Sequence, residues 1–553
     1  MLRLPSALLS RPKRLHESQA DRQARLRELF VAYKRQDEFK ALSYRQLEAA
    51  LWGAFPTHAF SELIWRYSNA ADHTEALFAL ARWCASEGRY QDCVDFLDEI
   101  VPGDDPAHER QRGILKIFSL AQLGETKAAA HCAKLYASSG SEEDLLACAI
   151  AAPGIERLRL LNKIFDHAGV SRIICNNTPR LEYITSISKY FLPDETLTVL
   201  MPAYNCSAVL PVAIRSVLNQ TWQNLEIIII DDASTDDTLA TARAFAAVDT
   251  RIKILKHERN VGAYAARNTG LRAATGEFIT VHDADDWSHP EKFALQIEAL
   301  KDKQICTTAG VRLTEDLQPI VKANNSAILI ENMSSLMGRT ADFRRLGGWD
   351  EVRAGADSEF YERFRLAYQT GPNLIRPKVP LTLIRSSASS LTQHKSTGLK
   401  TINYGCRREY RESYRAWHLS SPDMRIQGRA PFAAPRLLTR RTVEQYDVVA
   451  VMDFSSVDDD FVSEVEYYVE EGKQVGVVNE PTPATANKTA TARVKTLLVN
   501  SGVDILVSGD AANAAMIIYA DSKTTFFPEN RPTLHGLIVS RGNRARTNWK
   551  REV

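Results

Sequence analysis

The sequence predicts an α/β protein in three parts: an all-α region, a larger α/β region on a largely parallel sheet, and a small second α/β region. Three observations carry this. Apolar residues recur at helical spacing before about residue 190. From about 195 to 300 strands alternate with helices, the pattern of βαβ units. The same alternation resumes from about 445. A chain of 553 residues is long enough for about three domains. Composition is ordinary for a globular protein, with 44% apolar and 25% charged residues. A net charge of +1 excludes a global field that would draw nucleic acid.

Residues 1–17 read as a basic tail. The apolar piece of MLRLPSALLSRPKRLH is short, broken by Pro5, and flanked by Arg3, Arg11, Lys13 and Arg14. That pattern lacks the uninterrupted core of a signal peptide. It suits a flexible tail or loose peripheral contact with an anionic membrane face. Residues 18–190 read as helices. Gly88 divides TEALFALARWCASEGRYQDCVDFLDEIV (74–101) into a helical hairpin, and Gly124 marks the turn in 111–140. Two such pairs suggest a tetratricopeptide-like array or a plain bundle, a surface for a protein partner, with no catalytic constellation.

Residues 191–405 hold the strands LTVLMPAYN (197–205), LEIIIID (225–231) and RIKILKH (251–257), with helices over 211–222 and 238–248 between them. Further strands and a helix, SEFYERFRLAY (358–368), follow. Over 406–444 dense arginines and three prolines read as a helix and then a linker; the helix presents a solvated face or a contact for anionic lipid or glycan phosphate. Residues 445–553 begin YDVVAVMDF and read as a small Rossmann-like α/β domain without a glycine-rich phosphate loop, better suited to docking than to a second activity. No apolar run approaches the roughly 20 residues of a membrane span. Eight isolated cysteines, with no C-x-x-C pair, indicate reduced thiols and a cytoplasmic setting rather than a zinc or redox site.

Acidic clusters follow two of the strands, and ligands of open α/β sheets bind beyond the carboxyl ends of strands. Four blocks, in order, carry a resemblance. DDASTDDT (231–238) resembles the VDDGSxD motif of family 2 glycosyltransferases, with Ala233 in place of glycine. NVGAYAARNTGL (260–271) resembles the family's N-x-G-x-x-x-A-R-N-x-G segment. HDADDWSHP (282–290) resembles its D-x-D block. LGGWDEVRAGADSEFYERF (346–364) resembles its GGFDE…EDxxLxxR block, with Ala356 where the glutamate stands.

The resemblance implies a GT-A fold over 191–405 and an inverting, metal-dependent transfer from a nucleotide-sugar donor. The acceptor would be a glycan or lipid-linked glycan, in bacterial surface-polysaccharide synthesis at the inner face of the membrane. Pro202, Tyr204, Asp231, Asp232, Arg267 and Asp283 would then face the nucleotide. Asp285, with Asp283, would hold Mn²⁺ or Mg²⁺, because hard oxygen ligands that bridge phosphates suit those ions. Asp357 falls on the general-base position, with Glu359 as the alternative. Trp349, Ser390, His394 and Lys395 fall on the acceptor or diphosphate side, though Trp349 is nearly as well placed for core packing. His282 and His289 read as packing or surface residues. Two rivals remain: a nucleotidyltransferase, which the stretch PAYNCSAVLP (202–211) disfavours, and a non-catalytic scaffold or glycan-binding protein with a degenerate transferase domain.

Overall fold

The structure, a computed structural model, describes residues 37–540 except 70–73, 102, 104, 137–139, 176–177, 187–188, 372, 387–393, 428–429, 440–442, 444, 500–501, 521–527 and 529. The basic tail, 1–17, and Ser390 lie outside the described residues.

The first elements are helices: α1 (Asp37–Lys40), α2 (Tyr44–Leu51), α3 (Pro56–Asn69), α4 (Thr74–Ser86), α5 (Tyr90–Glu99), α6 (Pro106–Gln122), α7 (Thr126–Tyr136), α8 (Glu142–Ala151) and α9 (Gly154–Ala168). Gly88 and Gly124 make the turns of the α4–α5 and α6–α7 hairpins at φ 73° and 79°, a conformation that penalises any Cβ. Asp105 and Ser141 cap α6 and α8 through backbone N–H groups left open by the first turn.

A two-stranded ribbon, β1 (Ile173–Cys175) and β2 (Ile184–Ser186), leads to the central sheet. Its eight strands run in the order β5-β4-β3-β6-β9-β8-β10-β7. They are β3 (Leu197–Ala203), β4 (Leu225–Asp231), β5 (Ile252–Lys256), β6 (Phe278–Val281), β7 (Trp287–Ser288), β8 (Ile305–Leu313), β9 (Leu329–Arg339) and β10 (Leu374–Arg385). Strands β3 to β6 pair in parallel, whereas β9 runs antiparallel to both β6 and β8. The continuous apolar runs of β3 and β4 follow from burial on both faces. On one face Val199, Ile227 and Ile229 pack under α10 (Leu210–Leu218) and beside α11 (Thr238–Ala246) and α13 (Lys292–Ala299). On the other, Leu200, Ile228 and Ile230 pack with α12 (Ala263–Ala273), α14 (Thr340–Arg345) and α15 (Ala356–Tyr368). Each buried isoleucine contributes about 1.5–3 kcal/mol.

The helical region is not a separate lobe. Its core, with Leu77, Phe96, Leu146 and Phe165, is continuous with Trp287, Val311, Leu313, Leu381 and Leu383 of β7, β8 and β10. His289 Nε2 meets the Ser171 carbonyl at 2.8 Å, and the Ser171 N–H donates to Glu291 at 2.7 Å.

Helix α16 (Cys406–Ser420) keeps a solvated face with Arg415, 53% exposed, and buries the opposite one. Tyr410, Tyr414 and Trp417 are buried, and so are Arg408 and Glu409. Its tyrosines and tryptophan outweigh the arginines because both neighbouring bodies press on it. Beyond it stands a second sheet, all parallel, in the order β13-β12-β11-β14-β15: β11 (Gln445–Met452), β12 (Val475–Asn479), β13 (Val503–Leu506), β14 (Ala511–Tyr519) and β15 (Thr533–Ser540). Helices α17 (Asp459–Glu470) and α18 (Ala492–Val499) cover one face, within the core that also holds Trp349 and Phe360.

Candidate active site

The carboxyl ends of β3, β4 and β6 meet at one edge of the central sheet. Tyr204, just past β3, is 50% exposed, and Pro202 lies in register with Ile230 of β4. The two aspartates after β4 differ sharply. Asp232 is committed: it accepts the N–H groups of Val261 and Gly262 at 2.8 and 2.6 Å and meets His257 Nδ1 at 2.8 Å, which pins the loop before α12. Asp231 is 1% exposed, yet neither of its carboxylate oxygens has a hydrogen-bond partner among the described residues. A buried carboxylate without partners is costly, so it marks a place that a donor group would satisfy. Between the two loops, Asp236 accepts from Ser207 and Thr238. Ala233, where the family pattern has glycine, takes φ 60°.

Arg267 on α12 reaches Asp283 at 3.0 Å and Ser334 at 3.3 Å, with its guanidinium over the rings of Tyr264 and Trp349. At 4% exposure it orients Asp283 from within the protein wall. Asp285, two residues on, has its carboxyl pushed up to about 6, by burial first and then by Asp283. Burial, with Asp285 and Asp283, also raises Asp286 well above the carboxylate range. Carboxyls are therefore crowded in this loop, and burial and like charge favour the protonated forms of Asp285 and Asp286. Arg385 at the end of β10 braces it, donating Nε–H to the Asp285 carbonyl at 3.1 Å and its backbone N–H to Asp286 at 3.1 Å. Beneath the loop, Lys292 donates to Ser288 at 3.1 Å; burial pushes its amine down to about 8 while Asp286 and Asp283 oppose that shift.

Asp285, with Asp283 two residues before it, is the residue of this loop that could hold a divalent cation. Among the described residues no group of three or more His, Cys, Asp or Glu side chains is arranged to hold a metal. A cation here would therefore complete its shell with donor phosphates and water.

Asp357 sits in the first turn of α15, half-buried, its carboxylate accepting the Ser358 N–H at 2.8 Å. A chain of contacts joins it to the acidic loop. Asp283 pairs with Arg267, Arg267 lies over Tyr264, and the Tyr264 hydroxyl accepts the N–H of Gly355, two residues before Asp357. The alternative base, Glu359, is fully buried against Arg363 at 2.7 Å and His418 at 3.1 Å, while Arg363 also donates to the carbonyls of Leu346 and Gly348. That network holds the glycine turn in place and leaves Glu359 no access to an acceptor.

Trp349 requires a correction. At 1% exposure it packs against Phe343 and Phe360 and cannot stack on a sugar. The rings of Phe343 and Phe360 beside it favour core packing. His394 and Lys395 are exposed; His394 Nδ1 accepts from Ser396 and meets Thr397, which shapes a turn beside Gly509 of the second sheet. Both histidines near the acidic loop are buried packing residues; burial pushes His282 down to about 3, so it is neutral. Sequence reasoning missed Tyr264, Ser334, Lys292 and Arg385. The position of Arg385, directly after the apolar strand LTLI, was the one available signal.

Residues 198–344 match the family model described as glycosyl transferase family 2. The putative glycosyltransferase EpsE of Bacillus subtilis is 40% identical over 172 residues, 28% of this chain and 61% of that protein. An Escherichia coli UDP-Glc:alpha-D-GlcNAc-diphosphoundecaprenol beta-1,3-glucosyltransferase, WfgD, is 38% identical over 119 residues, 22% of this chain and 46% of that protein. A crystal structure of TarS from S. aureus aligns at a TM-score of 0.30 and 17% identity, covering 40% of this chain and 43% of that one. The chain spans less than half the length of the first curated relatives it matches, at 22%, 46% and 31%.

Proposed function

We propose, from the premise that this chain carries a family 2 glycosyltransferase domain, that it moves a sugar from a nucleotide-sugar donor to a hydroxyl of a glycan or lipid-linked acceptor. The transfer inverts the anomeric centre in a single displacement and serves bacterial surface-polysaccharide assembly, of capsule or lipopolysaccharide. The observation that supports this most is a buried carboxylate without a partner among the described residues, Asp231, beside an acidic loop linked through Arg267 and Tyr264 to Gly355, the N-cap of α15.

In this reading Asp231 accepts a hydrogen bond from the base edge, and Tyr204 offers its exposed ring to the nucleoside. Asp283, oriented by Arg267, and Asp285 face the diphosphate. Mn²⁺ or Mg²⁺ held there would supply positive charge against the departing diphosphate. Asp357 takes the proton from the acceptor oxygen as that oxygen attacks, which general-base catalysis accelerates by about 10²–10⁴-fold. The protein then releases a nucleoside diphosphate with no covalent sugar intermediate.

A thermal-shift screen of nucleotide sugars with and without Mn²⁺ tests the donor assignment, since a ligand selective for the folded state raises its melting temperature. A nucleotide sugar that stabilises only with Mn²⁺, and is hydrolysed or transferred, supports the reading. A chain that no nucleotide sugar stabilises would be the non-catalytic scaffold instead.

A further inference from the structure

A groove of about 680 Å³ runs along α15, lined by Ser358, Tyr361, Glu362, Arg365, Leu366 and Arg415 among others. It begins beside the candidate base, since Ser358 is the next residue and donates its N–H to Asp357. Met333, the neighbour of Ser334 that binds Arg267, lines the same groove. Asp357, Tyr361 and Arg365 recur at helical i, i+4, i+8 spacing, so they share one face of the helix. The rise along that face from Asp357 to Arg365 is about 12 Å.

The charges in the groove are unequal in their commitments. Arg415 is paired through two bonds of 2.8 Å to Glu362, which also accepts from Tyr414. Arg365 has no ion pair among the described residues, and its buried Nε–H lacks a hydrogen-bond partner, while its guanidinium rests over the Tyr361 ring at 5.7 Å. An uncommitted guanidinium on an aromatic platform presents a planar fork suited to a phosphate or carboxylate. Leu366, 49% exposed, adds an apolar step beyond it.

We propose that this groove is the acceptor track, and that it takes an elongated glycan acceptor bearing an oxyanion about 12 Å from the reacting hydroxyl, held by Arg365. The proposal rests on the transferase reading, with Asp357 marking where the acceptor hydroxyl lies. A phosphate and a carboxylate would use the same contacts, so the test separates them.

The full chain, saturated with UDP and Mn²⁺ to occupy the donor side, is titrated with inorganic pyrophosphate, with trigalacturonate and with neutral maltotriose. Wild type binds one of the two anions and not maltotriose; Arg365→Gln, which keeps the stem over Tyr361, weakens that binding about tenfold or more. Pyrophosphate as the ligand identifies a phosphate-bearing acceptor, trigalacturonate a carboxylate-bearing one. Absence of binding by both anions, maltotriose binding as well as the anions, or an undiminished Arg365→Gln overturns the proposal. Arg415→Gln serves as the comparison variant, because its charge is already paired; a loss equal to that of Arg365→Gln would also overturn it. UDP binding is read separately: its absence sinks the transferase reading, whereas its retention with no anion binding sinks the acceptor track alone.

Discussion

Two sheets stand in this molecule, one mixed with a parallel part over β3 to β6 and one wholly parallel, and they treat their parallel strand ends in opposite ways. Past β4 of the central sheet, Asp231 keeps both carboxylate oxygens unpartnered among the described residues, and in the acidic loop after β6 burial and like charge raise the carboxyls of Asp285 and Asp286. Past β11 and β12 of the second sheet, Asp453 and Asn479 are committed within the protein. Asp453 accepts from Ser455 and Thr485. Asn479 accepts the Phe454 N–H and donates to Glu409 of α16, and its carbonyl accepts the Tyr404 hydroxyl. Parallel topology provides a crevice at both places. At the first the buried Asp231 is left for a ligand, while at the second Asn479 is spent on holding α16.

This contrast can be broken most forcefully at Asp357. Asp357→Asn is expected to lower sugar transfer by about 10²–10⁴-fold, with nucleoside diphosphate affinity unchanged; wild-type turnover in a transfer assay would refute its role. Next, Asp231→Asn is expected to weaken donor binding by about 10–100-fold, the value of a charge-assisted hydrogen bond. The same change should hold or raise the melting temperature, because it removes a buried charge that has no partner in the free protein. Its counterpart on the second sheet, Asn479→Ala, should behave in reverse. Unfolding free energy falls by about 1–3 kcal/mol, since Glu409 and the Phe454 N–H lose their partner, and donor affinity in calorimetry does not move.

A pH profile sharpens the comparison further. Burial, then Glu359, raises the Asp350 carboxyl to about 7, although Tyr410 donates to it at 2.8 Å. A raised acid favours the folded state while protonated, so its contribution is present below the ordinary 3.8 and is lost as pH rises through about 7. Asp350→Asn should flatten that part of the stability profile without altering nucleotide binding. The smallest effect is expected at Ala233, whose φ of 60° strains a Cβ. Ala233→Gly should leave transfer intact and raise stability by up to about 1 kcal/mol, read from a denaturant curve.

Much of this was legible in the residues. The doubly buried strands announced themselves as unbroken apolar runs, and the acids at their ends located the site edge. The difference between Asp231 and Asp232 was not legible. They are chemically identical neighbours, and only the alternation of side chains about the strand end decides which one meets the loop of Val261 and Gly262. Trp349 misled, and the buried face of α16 stayed hidden, for a related reason. Whether a tryptophan or one side of an arginine-dense helix faces water depends on elements distant in the chain, here Phe343, Phe360 and the second sheet. The commitment of Glu359 to Arg363 has local i, i+4 spacing, but its burial comes from His418 on α16.

The continuity between the N-terminal helices and β10 has a mechanical meaning. Leu381 and Leu383 are anchored among those helices, and two positions further on Arg385 grips the carbonyl of Asp285. Removing the helices would strip a wall from the sheet and slacken the brace behind its acids. Whatever leans on that outer layer therefore pushes, through a single strand, on the loop where chemistry would begin.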